Sequence, residues 1–405
     1  MSRYFSDLET RSDADRAAAI AKELPEQIRR AQALPAYATT LADVSADAIK
    51  SVDDLAALPV TRKSALVEAQ KQNAPLGGFT GPITGFAHVF QSPGPIYEPG
   101  NTSHDWWRIG RFLSAVGIGE GDIVQNCFGY HLTPAGMIFE NGARAVGATV
   151  LPAGVGQTEL QVRAAADIGT TAYAGTPDFL KVILEKADEM GETLKITKAA
   201  VSGGALFPSL RQYYHDRGIK CLQCYATADL GNVAYEAIEN DGLIIDEGVI
   251  VEIVTPGTGD PVAVGEVGEV VVTSLNPDYP LIRFATGDLS AMMPGQSACG
   301  RTNTRIKGWM GRADQTTKVK GMFVRPEQVA ALVAKHPDVA RARVVVDREG
   351  ETDVLHVLVE TLAGNVNEIS QSVHETLKLK GRVEICAMGS LPRDGIVIED
   401  RRKYD

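Results

Sequence analysis

Short apolar runs and longer amphipathic ones alternate through the middle of the chain. Residues 123–126, 149–151, 171–174, 199–201 and 220–225 are brief, mostly apolar stretches with the pattern of buried strands. Between them, residues 134–146, 159–168, 177–190 and 208–216 carry apolar positions at helical spacing. Strand following helix at nearly regular intervals predicts a parallel sheet covered by helices. Ligands of such sheets bind beyond the carboxyl ends of the strands. The pocket is therefore expected from residues 126–131, 152–156, 175–176, 202–205 and 225–229.

The flanks follow other rules. Residues 13–35 are rich in helix formers and interrupted by Pro25. Ser51 caps a short helix with an acidic first turn, and residues 61–70 (T-R-K-S-A-L-V-E-A-Q) predict another. From 248 to 274 short β-branched runs separated by T-P-G-T-G-D-P and G-E-V-G predict antiparallel hairpins. Beyond Gly321 the order is helix, strand, strand, helix, strand. Val329, Leu332 and Val333 share one face of the first helix, and Val366, Ile369, Val373 and Leu377 form a stripe on the second. The expected fold is α/β, with a large N-terminal domain over residues 1–312 and a small mobile α+β domain over 313–405.

Composition narrows the function. The 405 residues are 44% hydrophobic and 22% charged, with a formal net charge of −11. That balance suits a globular chain and argues against nucleic acid or an anionic membrane surface as partner. No apolar run reaches the roughly 20 residues of a membrane helix, and the N-terminus has no signal-peptide core. A cytoplasmic protein with reduced thiols is expected. Cys221 and Cys224 have C-x-x-C spacing, but inside a strand their side chains point to opposite faces, against a metal or redox pair.

Two stretches carry the chemistry. In L-I-R-F-A-T-G-D-L (281–289) Asp288 follows a Thr-Gly turn just beyond a strand, where its carboxylate suits bidentate pairing with a sugar diol. In M-G-R-A-D-Q-T-T-K-V-K-G (310–321) Arg312 can fork onto oxygens, and Lys318 and Lys320 trail it. Together and in this order they resemble the nucleotide-binding and hinge motifs of the adenylate-forming enzymes: acyl-CoA synthetases, luciferases and peptide-synthetase adenylation domains. The short branch typified by phenylacetate–CoA ligase has the nearest pattern, and the resemblance covers essentially the whole chain. It implies a distorted β-barrel subdomain at 248–274 and a C-terminal domain that turns about Arg312–Asp314.

The same resemblance assigns the remaining candidates. Ser202-Gly203-Gly204-Ala205 would lie against adenine, its glycines letting backbone approach a flat ring. In Y-A-T-A-D (225–229) Tyr225 and Ala226 would flank the base, Thr227 would reach phosphate oxygens, and Asp229 would help hold Mg²⁺. Asp229 replaces the family's Glu and reaches roughly 1.5 Å less far. Phe128, Gly129, Tyr130 and His131, backed by Pro134, Ala135 and Gly136, would wall an acyl pocket fit for an aryl or medium apolar acid. Lys318 and Lys320 would meet the phosphates of coenzyme A, and the family's habit suggests a homodimer.

Two features depart from the pattern. The family's S-S-G-T-T-G-x-P phosphate loop corresponds here to residues 91–99, Q-S-P-G-P-I-Y-E-P. It keeps Ser92, Gly94 and Pro99 but gains Pro93, Pro95 and Glu98; proline removes donors and stiffens the chain, and a charged Glu98 would repel polyphosphate. The C-terminal L-P-R-x-x-G-K becomes L-P-R-D-G-I, with Ile396 in place of the lysine that neutralises charge on the α-phosphate. Arg401, Arg402 and Lys403 could substitute only if the tail folds back. Two readings follow: an ATP-dependent acyl-CoA ligase using Mg²⁺ and CoA, or an impaired relative that binds an adenylate, acyl-CoA or aryl acid, or performs only the thioester-forming half-reaction.

Overall fold

The computed structural model describes residues 4–92, 95–313, 315, 317–319, 322–349, 352–394 and 396–402; the side chains of Lys318 and Phe323 also lie outside this description. The chain forms two compact units. Met1–Val251, Val272–Phe284 and Met293–Trp309 make the first; Glu252–Val271, Ala285–Met292 and Met310–Asp405 make the second.

In the first unit the five anticipated strands form and pair in parallel, in the order Thr149–Leu151, Ile123–Asn126, Ala172–Gly175, Lys198–Val201, Lys220–Thr227. The order reverses direction once, because the chain leaves Ile123–Asn126 on one side and returns on the other. Alternate side chains feed two cores. Val124, Ala172, Ala174, Ala200, Leu222 and Cys224 pack with Phe112, Ile138 and Phe139 on one face. Tyr173, Ala199, Val201 and Cys221 pack with Leu180 and Tyr214 on the other. Cys221 and Cys224 therefore belong to opposite faces, and burial pushes each thiol up to about 12. Beyond Lys220–Thr227 the sheet continues antiparallel through Gly231–Tyr235, Leu243–Ile245 and Arg305–Ile306.

Pro25 does not break its helix, which runs unbroken from Asp13 to Gln32. Leu24, Pro25, Ile28 and Ala31 form its buried stripe, so packing outweighs the donor that proline removes.

The second unit contains the expected C-terminal order: helix Pro326–Ala334, hairpin Val339–Glu349 with Thr352–Thr361, helix Val366–Leu377, strand Arg382–Cys386. Sequence patterning missed the short paired strands Thr317–Val319 and Met322–Val324 and one further element. Ile398–Asp400 adds a parallel edge strand beside Val339–Glu349, giving the order 382–386, 352–361, 339–349, 398–400. Three residues, two of them acidic, carry no periodicity to read. One core under this sheet joins Val329 and Leu332 to Val344, Val346, Val357, Ile369, Val373 and Leu377.

The helix Val366–Leu377 supplies an internal control. Ile369 is fully buried and Val366 is exposed. Equilibrium denaturation should show Ile369→Ala losing about 2–5 kcal/mol of stability, and Val366→Ala less than about 0.5 kcal/mol. Equal losses would mean that the stripe does not face the core.

Candidate active site

Loops at the carboxyl ends of the parallel strands gather most of the expected residues. Asn126 ends its strand and organises the aromatic loop: its amide nitrogen donates to Tyr130 Oη and Gly136 O, both at 2.8 Å, and its Oδ1 accepts from Phe128 N at 3.2 Å. Phe128 is buried and stacks on Phe139 at 4.3 Å between ring centres. Gly136 must lack a side chain, since a Cβ there would lie 2.8 Å from Gly129 O and from the Tyr130 ring. Burial and the neighbouring Glu140 raise the Tyr130 phenol well above its ordinary value, so it remains protonated. Pro134 and Ala135 open the helix behind this loop, and His131 is exposed.

The S-G-G-A turn sits beside that wall. A Cβ on Gly203 would be 3.8 Å from the Phe128 ring and from Thr176, and Gly203 adopts a φ of +72° that glycine tolerates without cost. Ser202 Oγ donates to Cys224 O at 3.0 Å, tying the turn to the next strand. Ser202–Leu206, Gln223–Ala226 and Leu243 then line a cavity of about 520 Å³, closed on its third side by Lys307, Gly308 and Trp309. These three escaped sequence reasoning; Trp309, directly before the M-G-R motif, is 57% exposed. The register slips between Tyr225 and Ala226, a bulge that re-aims the side chains of Y-A-T-A-D.

Asp229 is presented by a tightly held turn. Leu230 N donates to Thr227 Oγ1 at 3.1 Å, and Asn232 N to Trp107 O at 2.9 Å. The Arg108 guanidinium donates to the carbonyls of Leu230 and Asn232. Gly231 is forced: its φ is +70°, and a Cβ would lie 2.6 Å from Trp107 O.

The Asp229 carboxylate has no solvent exposure and pairs with Lys63 Nζ at 2.7 Å. Its Oδ1 makes no hydrogen bond among the described residues, nor do Glu98 Oε2 and Tyr279 Oη, all of them buried. The stretch matched to the phosphate loop is a hairpin, His88–Ser92 against Ile96–Gly100. Gln70 clamps it from the helix Lys63–Gln72, donating to Tyr97 O at 2.7 Å and accepting from Tyr97 N at 2.8 Å. Gly94 and Pro93 lie outside the described residues. Ser92 Oγ is turned inward and donates to Glu98 Oε1.

Glu98 does not act as the expected surface repeller. It is fully buried, and burial, reinforced by the charge on Asp229, pushes its carboxyl up to about 8. At neutral pH it holds its proton, so it removes an anion from the site where a charged carboxylate was expected.

Asp288 and Arg312 belong to the second unit. Arg312 Nη1 donates to Asp288 Oδ1 at 2.8 Å, and Gly287 has no Cβ to collide with the guanidinium. Segment 310–313 runs beside 287–289 through Leu289 N to Gly311 O and Met310 N to Leu289 O, both 2.9 Å, and Ala313 N to Gly287 O, 2.7 Å. Asp288 N donates to Thr286 Oγ1 at 3.2 Å, which fixes the turn. Lys320 and Asp314 lie outside the described residues, as does the Lys318 side chain.

Arg401 and Arg402 are taken up in ion pairs with neighbouring carboxylates. Arg402 pairs with Asp353 at 2.8 Å and Asp400 at 2.6 Å, and Arg401 with Glu399 at 2.7 Å. Ile396 lines a groove of about 380 Å³ with Val262, Val329 and Val333. Arg343 grips Asp394 and Glu399 on either side of Ile396. Lys403 lies outside the described residues.

A glycine turn and an aromatic wall at parallel strand ends, followed by the T-G-D and G-R segments, define an adenylate-forming enzyme of the acid–CoA ligase class. No family model matches the chain. It is 30% identical over 359 residues to a phenylacetate–coenzyme A ligase of Thermus thermophilus, covering 84% of this chain and 80% of that protein. With a phenylacetate–coenzyme A ligase of Aromatoleum evansii the identity is 31% over 334 residues, 78% of this chain and 74% of the relative. Among solved structures, a 2-hydroxyisobutyryl-CoA ligase in its postadenylation state, in complex with 2-HIB-AMP, superposes with a TM-score of 0.73 at 25% identity, over 99% of this chain and 93% of that one. The chain belongs to the phenylacetate–coenzyme A ligase family.

The buried acid gives a measurable pH dependence. The folded chain keeps on Glu98 a proton that the unfolded chain releases above the ordinary carboxyl range, so this group's contribution to stability falls as pH rises from there through about 8. Glu98→Gln removes the titration and keeps an acceptor for Ser92. Its melting temperature relative to wild type should rise steadily between pH 5 and pH 8. A difference independent of pH over that range would show that Glu98 is already ionised.

Proposed function

We propose that the chain activates an aryl or small apolar carboxylic acid with ATP and passes it to coenzyme A. One observation carries this reading: the Phe128–Tyr130 wall and the Ser202–Ala205 turn meet at the strand ends, with Gly203 against Phe128. An apolar acid on the wall would then have its carboxylate directed toward a nucleotide held in the cavity beside Tyr225. In the first step a carboxylate oxygen bonds to the α-phosphorus while the bond to the β-phosphate oxygen breaks, giving acyl-adenylate and pyrophosphate. In the second the coenzyme A sulfur bonds to the acyl carbon, AMP leaves with the oxygen, and the thiol proton passes to water.

This chain's groups have distinct tasks in that scheme. Tyr225, Ala226 and the Ser202–Ala205 backbone sandwich the base. Asp288 takes the ribose diol once Arg312 turns from it to phosphate, both at the hinge of a small domain spanning 313–405. Thr227 Oγ1 accepts from Leu230 N, which leaves its hydroxyl proton for a phosphate oxygen. Mg²⁺ fits the free Oδ1 of Asp229, a hard oxygen donor with no other partner among the described residues, and when bound there would neutralise polyphosphate charge. Lys318 and Lys320 would receive coenzyme A phosphates. The proposal includes a cytoplasmic homodimer.

A second reading has its own support. The proline-bearing hairpin is paired along its length and Ile396 brings no charge, so grip on the triphosphate is weak where grip on the nucleoside is retained. A relative specialised in binding an adenylate or acyl-CoA, or in the thioester half-reaction, would have this site.

Pyrophosphate release from ATP and Mg²⁺ with coenzyme A and a panel of aryl and short acyl acids decides between them. The ligase reading expects turnover by wild type, and an Ile396→Lys variant about 10²- to 10³-fold faster in adenylation. Silence from wild type, with Ile396→Lys active, would transfer the native role to binding or thioester formation. In calorimetry Asp288→Ala should abolish AMP binding; unchanged affinity would overturn the ribose assignment.

A further inference from the structure

A chain that adenylates needs a cation against the reacting phosphate, and the usual one is absent. Arg401 and Arg402 are held in ion pairs, and Arg312 would reach phosphate only after leaving Asp288. Lys63 is placed differently. It is the first residue of the helix Lys63–Gln72, whose N-terminus has no side-chain cap, so the first backbone N–H groups lie near the same residue. Its Nζ lies 2.7 Å from Asp229 Oδ2, and its side chain is 35% exposed while the Asp229 carboxylate is not exposed at all. Beside this pair, Asp229 Oδ1, Glu98 Oε2 and Tyr279 Oη, all buried, make no hydrogen bond among the described residues. Asp229 Oδ1 calls for a donor or a cation, the protonated Glu98 carboxyl and the Tyr279 hydroxyl can donate, and Lys63 calls for an anion; a polyphosphate with its counter-ion satisfies all of them.

Resting on the ligase reading above, we propose that Lys63 is a catalytic residue of the adenylation step. Its ammonium stabilises the negative charge that builds on the phosphate as the carboxylate oxygen bonds to phosphorus and pyrophosphate departs. No proton moves: the cation stays charged and shares itself between Asp229 and the phosphate. Lys63 thus supplies, from the start of a helix clamped at Gln70, the charge that Ile396 lacks. A helix-borne cation is pre-positioned before nucleotide arrives, so adenylation would not wait for the C-terminal tail to deliver one.

The two half-reactions separate this role from a structural one. Lys63→Met should lose about 10²- to 10³-fold in single-turnover pyrophosphate release. Thioester formation from chemically prepared acyl-adenylate and coenzyme A should stay within a few-fold of wild type. Lys63→Arg should recover part of the lost adenylation, and Lys63→Ala should regain activity with added ethylamine. Because Lys63→Met leaves a buried carboxylate unpaired and can unfold the site, Lys63→Met with Asp229→Asn is made in parallel. That neutral pair should fold and be slower in adenylation than Asp229→Asn alone, which lacks the same Mg²⁺ ligand. Recovery of adenylation in the double variant, or an equal loss in both half-reactions, would overturn the proposal in favour of a purely structural ion pair. A wild type that releases no pyrophosphate with any acid overturns the ligase reading and this inference with it. An active wild type with an equally active Lys63→Met overturns the inference alone.

Discussion

A carboxylate shut away from water needs a cation within reach, and Asp229 is such a carboxylate. Much of the first unit can be traced from that one demand. Lys63 must be brought to it, which fixes the start of a helix. The helix must be held, which Gln70 achieves by reading both backbone groups of Tyr97. The strand so held carries Glu98 into the same buried space, where a second negative charge would be intolerable, and the acid keeps its proton instead. Burial, reinforced by the charge on Asp229, thus keeps the proton on Glu98.

The parallel sheet was legible because burial on both faces leaves short apolar runs with helices between, and every anticipated strand formed within a residue or two of its expected place. S-G-G-A and Y-A-T-A-D could be placed at strand ends for the same reason. What could not be read depends on tertiary context. Pro25 stays helical because its neighbours at helical spacing are buried. Glu98 looks like a surface charge until the hairpin turns it inward. Trp309 joins the nucleotide cavity from more than 80 positions away in sequence, and no periodicity announces that. The edge strand Ile398–Asp400 exists because Val339–Glu349 offers it a ladder.

The shape and the charge of the candidate site are two properties that sequence motifs do not separate. The nucleoside face depends on shape: a turn without side chains, a bulge, a tryptophan. The phosphate face depends on charge, and there the chain has replaced flexible hydroxyls with a paired hairpin and a lysine with isoleucine. Members of the phenylacetate–coenzyme A ligase family can therefore share a superposable backbone while differing in which charges meet the phosphates.

The distribution of sulfur has a practical side. Cys127, Cys221, Cys224 and Cys299 are buried, whereas Cys386 is half-exposed on the edge strand Arg382–Cys386, where it has a neighbour on one side and solvent on the other. Four thiols are shielded from maleimides in the native state and the fifth is within their reach. A fluorophore or spin label would therefore attach at a single natural position on the C-terminal sheet, and distance spectroscopy against a tag placed elsewhere could follow that sheet through the catalytic cycle without any engineered cysteine.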